Sequence, residues 1–303
     1  MNEFIRRAGI AALLLFAFPA SASAASASGR AECLSLASRI LGHRVAYCTI
    51  LPPSYESETS RRYPILYFLH GIGENEQMLA GSGGLNLVLD LWEQHQIGEC
   101  LIVTPAADSS FYINSRDGRV RYEDFFLQEL MPYIERRYRT RRGRASRAIG
   151  GISMGGYGAL HLAFRHPELF GSVSAHSAAL IERLPEVSAG DAPSIPRLRI
   201  LGSVFGSPID RAFWDRSSPL VLARTANLAG LKIYFDCGSE DDYGFNAGAD
   251  ALHKELTERH VPHEFHIYPG GHNWAYFSAH LPASLEFESR AIGAALPAPP
   301  AGK

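Results

Sequence analysis

The chain has little net charge, few cysteines and no apolar run long enough to cross a bilayer. A formal charge of -2 over 303 residues, with an isoelectric point near 6.6, gives no global field to recruit nucleic acid or an anionic membrane surface. The four cysteines, Cys33, Cys48, Cys100 and Cys237, lack metal-site spacing, so no metal or cofactor is implied. The main apolar stretch, Ala8 to Ala20, falls short of the roughly 18 to 20 residues that span a membrane. No internal repeat divides the chain. What is present is 46% hydrophobic residues, enough for one sizeable core, and a small molecule is the expected partner.

Arg6-Arg7, the apolar run and Ser21-Ala22-Ser23-Ala24 follow one another as the basic, hydrophobic and small-residue cleavage regions of an export signal. Residues 1–24 are therefore expected to be removed and the protein to be periplasmic or extracellular. In an oxidising compartment four cysteines allow three pairings. Cys33 and Cys48 flank a turn expected at Gly42-His43, which makes them the expected pair, although the simplest register for that turn does not place them opposite each other. Residues 25–293 make the expected catalytic domain, and the Pro-rich 294–303 a disordered tail.

Residues 33 to 52 alternate as a β-hairpin, ended by Pro52-Pro53. Tyr63 to His70 is a continuous apolar run of the kind found in strands buried on both faces. Similar runs recur at 101–105, 148–152, 171–175, 231–235 and 264–268. Between them, Tyr122, Phe126, Leu130, Ile134 and Tyr138 form one apolar stripe, and 245–260 reads as a second amphipathic helix. Such alternation predicts an α/β fold, a mostly parallel sheet with helices on both faces and an N-terminal antiparallel hairpin. Residues 178 to 230 lack a clear period apart from a helical piece near Ile209 to Trp214, and read as an insertion at the mouth of a site. Seven arginines between 136 and 147 read as a solvated helix end and turn, where the helix dipole favours cations.

The chemistry concentrates in Gly151-Ile152-Ser153-Met154-Gly155, a G-x-S-x-G between a strand and a helix. Alone the pattern is modest, since average glycine usage gives on the order of 0.1 chance matches in a chain this long. In this setting the glycines permit a sharp turn that lifts a strained serine above the sheet, at a helix N-terminus that favours developing negative charge. A serine hydroxyl needs a base, and the base an orienting acid, in the order Ser, Asp or Glu, His. His272, in Pro269-Gly-Gly-His272, is the expected base; His260, His263, His266 and His280 sit in less suitable places. Asp241 is the favoured acid by its depth in the loop after 231–235, with Glu240 and Asp242 still open, while Asp236 at the strand end has a structural reading. Acyl transfer also needs backbone N–H groups aimed at an oxyanion. Met154 supplies one, and Ile72, after the strand ending at His70, the second; His70 itself is expected to pack in that loop.

With those residues placed, the chain resembles, over roughly 35 to 290, the putative-esterase family of α/β-hydrolases, which includes esterase D (S-formylglutathione hydrolase), feruloyl and tributyrin esterases and the mycolyltransferases. The likeness rests on Tyr63-Pro-Ile-Leu-Tyr-Phe-Leu-His70-Gly71, Gly151 to Ala159, Asp236-Cys-Gly-Ser-Glu-Asp241 and Gly270-Gly-His272-Asn-Trp274. It implies Asp241 as the acid, Ile72 as an oxyanion donor and ester hydrolysis through an acyl-enzyme. Transfer of the acyl group to a sugar or alcohol is the alternative, and a non-catalytic binding module the more distant one. Ser109-Ser-Phe-Tyr112-Ile-Asn114, after the strand ending at Pro105, is expected to line the acyl or alcohol pocket, and Tyr112 and Trp274 are the candidate substrate-binding aromatics, with stacking on a substrate ring and packing at the loop base both open.

Overall fold

All six apolar runs become strands of one sheet, and the computed structural model describes residues 29–81, 83–182, 184 and 196–297. The expected leader, 1–24, and the last residues of the expected tail lie outside these residues. The strands are β1 (Arg30–Ala37), β2 (Arg44–Leu51), β3 (Ile65–Leu69), β4 (Leu101–Pro105), β5 (Arg147–Ile152), β6 (Ser172–His176), β7 (Lys232–Gly238) and β8 (Glu264–Tyr268). They are ordered β1-β2-β4-β3-β5-β6-β7-β8. The hairpin β1–β2 is antiparallel and β2 pairs antiparallel with β4; every later pairing is parallel. Alternate residues supply opposite faces, as the strand pleat requires. Ile65, Tyr67 and Leu69 enter one core and Leu66 and Phe68 the other.

The helices are α1 (Gly84–Glu93), α2 (Tyr122–Phe125), α3 (Met131–Arg137), α4 (Met154–Arg165), α5 (Pro196–Phe205), α6 (Arg211–Ser217), α7 (Pro219–Thr225), α8 (Phe245–Glu258) and α9 (Trp274–Ala291). α4 packs in the first core, α1 and α9 in the second. Between α2 and α3 the chain stays helical through a π segment, Phe126–Leu130. Its predicted stripe steps by four residues, a drift of about 40° per step on a 3.6-residue helix. The wider π turn absorbs that drift, and Tyr122, Phe126, Leu130, Ile134 and Tyr138 are all buried. β3 has β4 on one side and β5 on the other, so the chain reverses its direction of progress there. The carboxyl ends of β3 and β5, paired at Leu69 and Gly151, bound the crevice where open α/β sheets bind ligands.

Four expectations need correction. The hairpin connection is the six-residue 38–43, closed by Ser38 N–H to His43 O at 2.9 Å, so the register places Cys33 directly opposite Cys48 and the expected pair is disulfide-bonded. A two-residue turn at Gly42-His43 would have put the register off; Ser38 Oγ accepting the Leu41 N–H (2.9 Å) stabilises the longer loop. The insertion is more helical than its pattern suggests, carrying α5, α6 and α7. The arginine segment is not simply a solvated face. Arg147 makes a two-point pair with Glu135 (2.6 and 3.1 Å), Arg144 donates to the carbonyls of Phe170 and Ala229, and Arg139 stacks 3.8 Å over Tyr55. Finally, the domain extends past 293, because Glu99 N–H donates to Ala295 O at 2.8 Å and Ala294 lies against Gly98.

Candidate active site

Ser153 joins β5 to α4 with φ 56° and ψ -114°, a left-handed conformation that L side chains seldom adopt. The neighbouring glycines make this turn possible. A Cβ on Gly155 would lie 2.0 Å from Leu69 O, and one on Gly151 2.5 Å from the Gly155 carbonyl carbon. The elbow is then pinned by its own backbone: Ser153 N–H donates to His176 O at 2.8 Å, and Ser153 O accepts from Ala179 N–H at 2.9 Å. Met154 opens α4, so its N–H is one of the first-turn donors that no helical carbonyl can satisfy.

Asp241 and His272 come from loops at the ends of β7 and β8. The imidazole Nδ1 lies 2.7 Å from Asp241 Oδ2, and the carboxylate is fully buried. Asp241 Oδ1 accepts from the N–H groups of Tyr243 (3.0 Å) and Phe245 (3.3 Å). Burial alone would raise this carboxyl's pKa, but the His272 hydrogen bond and charge together with those amides outweigh it, and the pKa lies below the ordinary aspartate value. With Nδ1–H donated to the carboxylate, Nε2 holds the lone pair and is the nitrogen able to take a proton. Three rings, Tyr243, Phe277 and Phe245, meet the imidazole edge-on at 4.8, 5.3 and 5.5 Å and fix its plane. Of the other acids considered, Glu240 is exposed, Asp242 accepts the backbone N–H of His272 at 3.2 Å, and Asp236 faces the second core.

The strand end before Ile72 is a tight turn. Glu74 N–H bonds Gly71 O, and Gly73 takes φ 84° as the third residue of a type II turn requires. Glu74 Oε2 accepts the Gly71 N–H at 3.0 Å. Ile72 is exposed and stands at the edge of the cavity. His70 is buried, its Nδ1 donating to Gly71 O (2.8 Å) and its Nε2 accepting from Ala107 N–H (3.0 Å). Both nitrogens are occupied in the neutral ring, and burial holds its pKa below the usual histidine value against the Gly71 hydrogen bond.

Ser153, His272, Ile72 and Trp274 all line one cavity of about 620 Å³, within the usual range for small-molecule sites. Its walls are mainly apolar: Phe111, Ile181, Ile200, Leu201, Phe245 and Phe277, with Glu74 the one carboxylate among the lining residues. Tyr112 does not reach it. That side chain is fully buried, its hydroxyl donating to His70 O at 3.1 Å, and its ring fills the space a Cβ on Gly158 would need. Phe111, in the same expected stretch, does line the cavity. The backbone explains the difference: Phe111 and Tyr112 both have positive φ, 54° and 60°, so the loop does not alternate its side chains as an extended segment would. The wall residues Ile181, Ile200 and Leu201 went unread because they belong to the aperiodic stretch.

Residues 38–287 match the family model described as Putative esterase. An esterase of Mycobacterium tuberculosis is 31% identical over 243 residues, 74% of this chain and 51% of that protein, so the chain spans about half the length of this curated relative. An acetyl esterase of Caldicellulosiruptor saccharolyticus is 23% identical over 235 residues, 76% of this chain and 85% of that one. Among solved structures, a ferulic acid esterase superposes with a TM-score of 0.75 at 29% identity, covering 88% of this chain and 99% of that chain.

Proposed function

The chain belongs to the Putative esterase family, an α/β-hydrolase fold by its structural neighbours, and from that premise we propose that it is an exported serine carboxylic-ester hydrolase working through an acyl-enzyme. One observation carries the reading: the strained Ser153 and the Asp241-oriented His272 open into the same apolar cavity. His272 Nε2 takes the Ser153 proton as Oγ bonds to the ester carbonyl carbon, and the N–H groups of Met154 and Ile72 receive the oxyanion. The C–O bond to the alcohol then breaks, the alcohol leaving with the proton from the imidazolium. Water repeats the sequence on the acyl-enzyme and releases the acid. The apolar walls suit a short or aromatic acyl group, in keeping with relatives named acetyl esterase and ferulic acid esterase. Export is supported by the leader pattern and by the Cys33–Cys48 disulfide, which belongs in an oxidising compartment.

The test is a hydrolysis screen of acetyl, butyryl and feruloyl esters alongside labelling by a fluorophosphonate probe. Both activities are expected in the wild type and neither in Ser153→Ala. A wild-type protein that neither labels nor hydrolyses any of the esters defeats the proposal. Added glycerol is expected to leave hydrolysis dominant; acyl-glycerol as the main product would make the enzyme a transferase. Mass spectrometry of the protein recovered from its producing cells should place the mature N-terminus near residue 25.

A further inference from the structure

On the side of the sheet covered by α9 lies a buried polar set that the mechanism does not use. Its centre is Asp236, whose side chain and that of His176 are both fully inaccessible. His176 Nδ1 stands 2.8 Å from Asp236 Oδ2, aligned too poorly for an N–H···O hydrogen bond. Asp236 Oδ1 accepts the Tyr276 hydroxyl at 2.7 Å, and His176 Nε2 lies 2.6 Å from Ser284 Oγ. Tyr276 and Ser284 are both on α9.

Each partner leads to one of the three loops that hold the reacting groups. The backbone carbonyl of His176 accepts the Ser153 N–H (2.8 Å), and the Asp236 carbonyl accepts from Ser177 N–H (2.8 Å), which fixes the end of β6 under the elbow. Asp236 itself begins the segment that carries Asp241. Tyr276 packs on Gly270, where a Cβ would come within 2.9 Å of its ring, and its N–H is capped by Asn273 Oδ1 (3.1 Å), the residue after His272. One carboxylate therefore touches the supports of nucleophile, acid and base together.

We infer that Asp236 is a positioning residue that sets the spacing between Ser153 and the Asp241–His272 pair. Stability is a poor account of it. A carboxylate buried with incomplete hydrogen bonding gains little over apolar residues of the same size, since desolvation offsets the attraction to its partners, and the opposite face of the same strands is filled with such residues, Val173, Ala175, Ile233 and Phe235. What the pair gives is a fixed relation between three chain segments far apart in sequence. Reacting groups must be held to within about 0.5 Å, and a misplacement of about 1 Å can lower rate by around a hundredfold.

The inference rests on the reading of Ser153, Asp241 and His272 as the reacting set, which the wild type and Ser153→Ala decide on their own. Its own test is Tyr276→Phe, which cuts the link from Asp236 to the base loop and removes no charge, together with Asp236→Asn. Rates on 4-nitrophenyl acetate are taken per folded, fluorophosphonate-titrated site. Tyr276→Phe is expected to lower kcat about tenfold with KM within twofold, and to slow fluorophosphonate labelling by the same factor. Asp236→Asn should lower kcat further. If the asparagine variant does not fold, Ser284→Ala, which removes the His176 Nε2 partner, takes its place with the same expectation as Tyr276→Phe. A kcat within twofold of wild type in the folded variants, whatever happens to their melting temperature, overturns the inference.

Discussion

The backbone of Ser153 offers a way to weigh the elbow apart from its chemistry. At φ 56° and ψ -114° any residue with a Cβ is strained, by about 1–3 kcal/mol for such sparsely populated conformations. Ser153→Ala keeps the Cβ and the strain; Ser153→Gly relieves it. Glycine also gains freedom in the unfolded chain, which lowers stability by about 0.4–1 kcal/mol relative to alanine. The balance predicts that Ser153→Gly is more stable than Ser153→Ala by roughly 1 kcal/mol, or about 2–4 °C in melting temperature for a domain of this size. Both variants lack the hydroxyl, so the comparison is free of any difference in function. Urea unfolding of the pair, followed by tryptophan fluorescence, reads the difference directly. An alanine variant as stable as the glycine variant, or more so, would show that the turn is not strained and that the flanking glycines are needed only for space.

Other expectations follow from particular contacts. Phe111→Ala should raise KM for aromatic acyl esters severalfold, because Phe111 lines the cavity, whereas Tyr112→Phe should leave KM unchanged and lower stability by roughly 1–2 kcal/mol through the buried His70 carbonyl it strands; the reverse pattern would return Tyr112 to the pocket. Reduction of the Cys33–Cys48 bridge, sequence separation 15, should lower stability by up to about 3 kcal/mol on the chain-entropy account, read as a melting-temperature difference with and without dithiothreitol. Glu288 is wholly buried, and burial, against the hydrogen bond from Ser172, pushes its pKa up to about 8. A folded pKa above the unfolded value means that the group favours folding below the ordinary glutamate range and that this advantage is lost as pH rises towards 8. Glu288→Gln should therefore gain on the wild type between pH 5 and 8 by on the order of 1 kcal/mol per pH unit, and a difference in stability that stays flat with pH would refute the buried acid.

Where the sequence could be read, the reason is that local pattern and tertiary role coincide. The runs at 101–105 and 264–268 became β4 and β8 with the same bounds, since an apolar run framed by turn residues has few other uses. Gly151 and Gly155 were legible as a pair because backbone packs where their side chains would be, at 2.5 and 2.0 Å. The cavity walls were not legible in this way. Ile181, Ile200 and Leu201 face a ligand space instead of a strand or helix neighbour, so no period marks them. Within the loop expected to line the pocket, Phe111 reaches it and Tyr112 does not, through two positive φ angles that neither residue type announces.

Asp236 shows the same limit more sharply. Its position at a strand end was readable, and so was a structural role, but its partners are His176, 60 residues before it, and Tyr276, 40 residues after. Neither spacing belongs to a repeating element; both follow from β6, β7 and α9 being neighbours in the folded sheet. A triad order of Ser, acid and His can be found along a chain because each member sits in its own short, recognisable turn. The groups that hold those turns at a fixed separation have no such local signature, since their only shared property is the space they occupy together. For that reason the variants most informative about this site are expected to lie beneath it, on α9 and β7, and to change kcat while leaving substrate contacts intact.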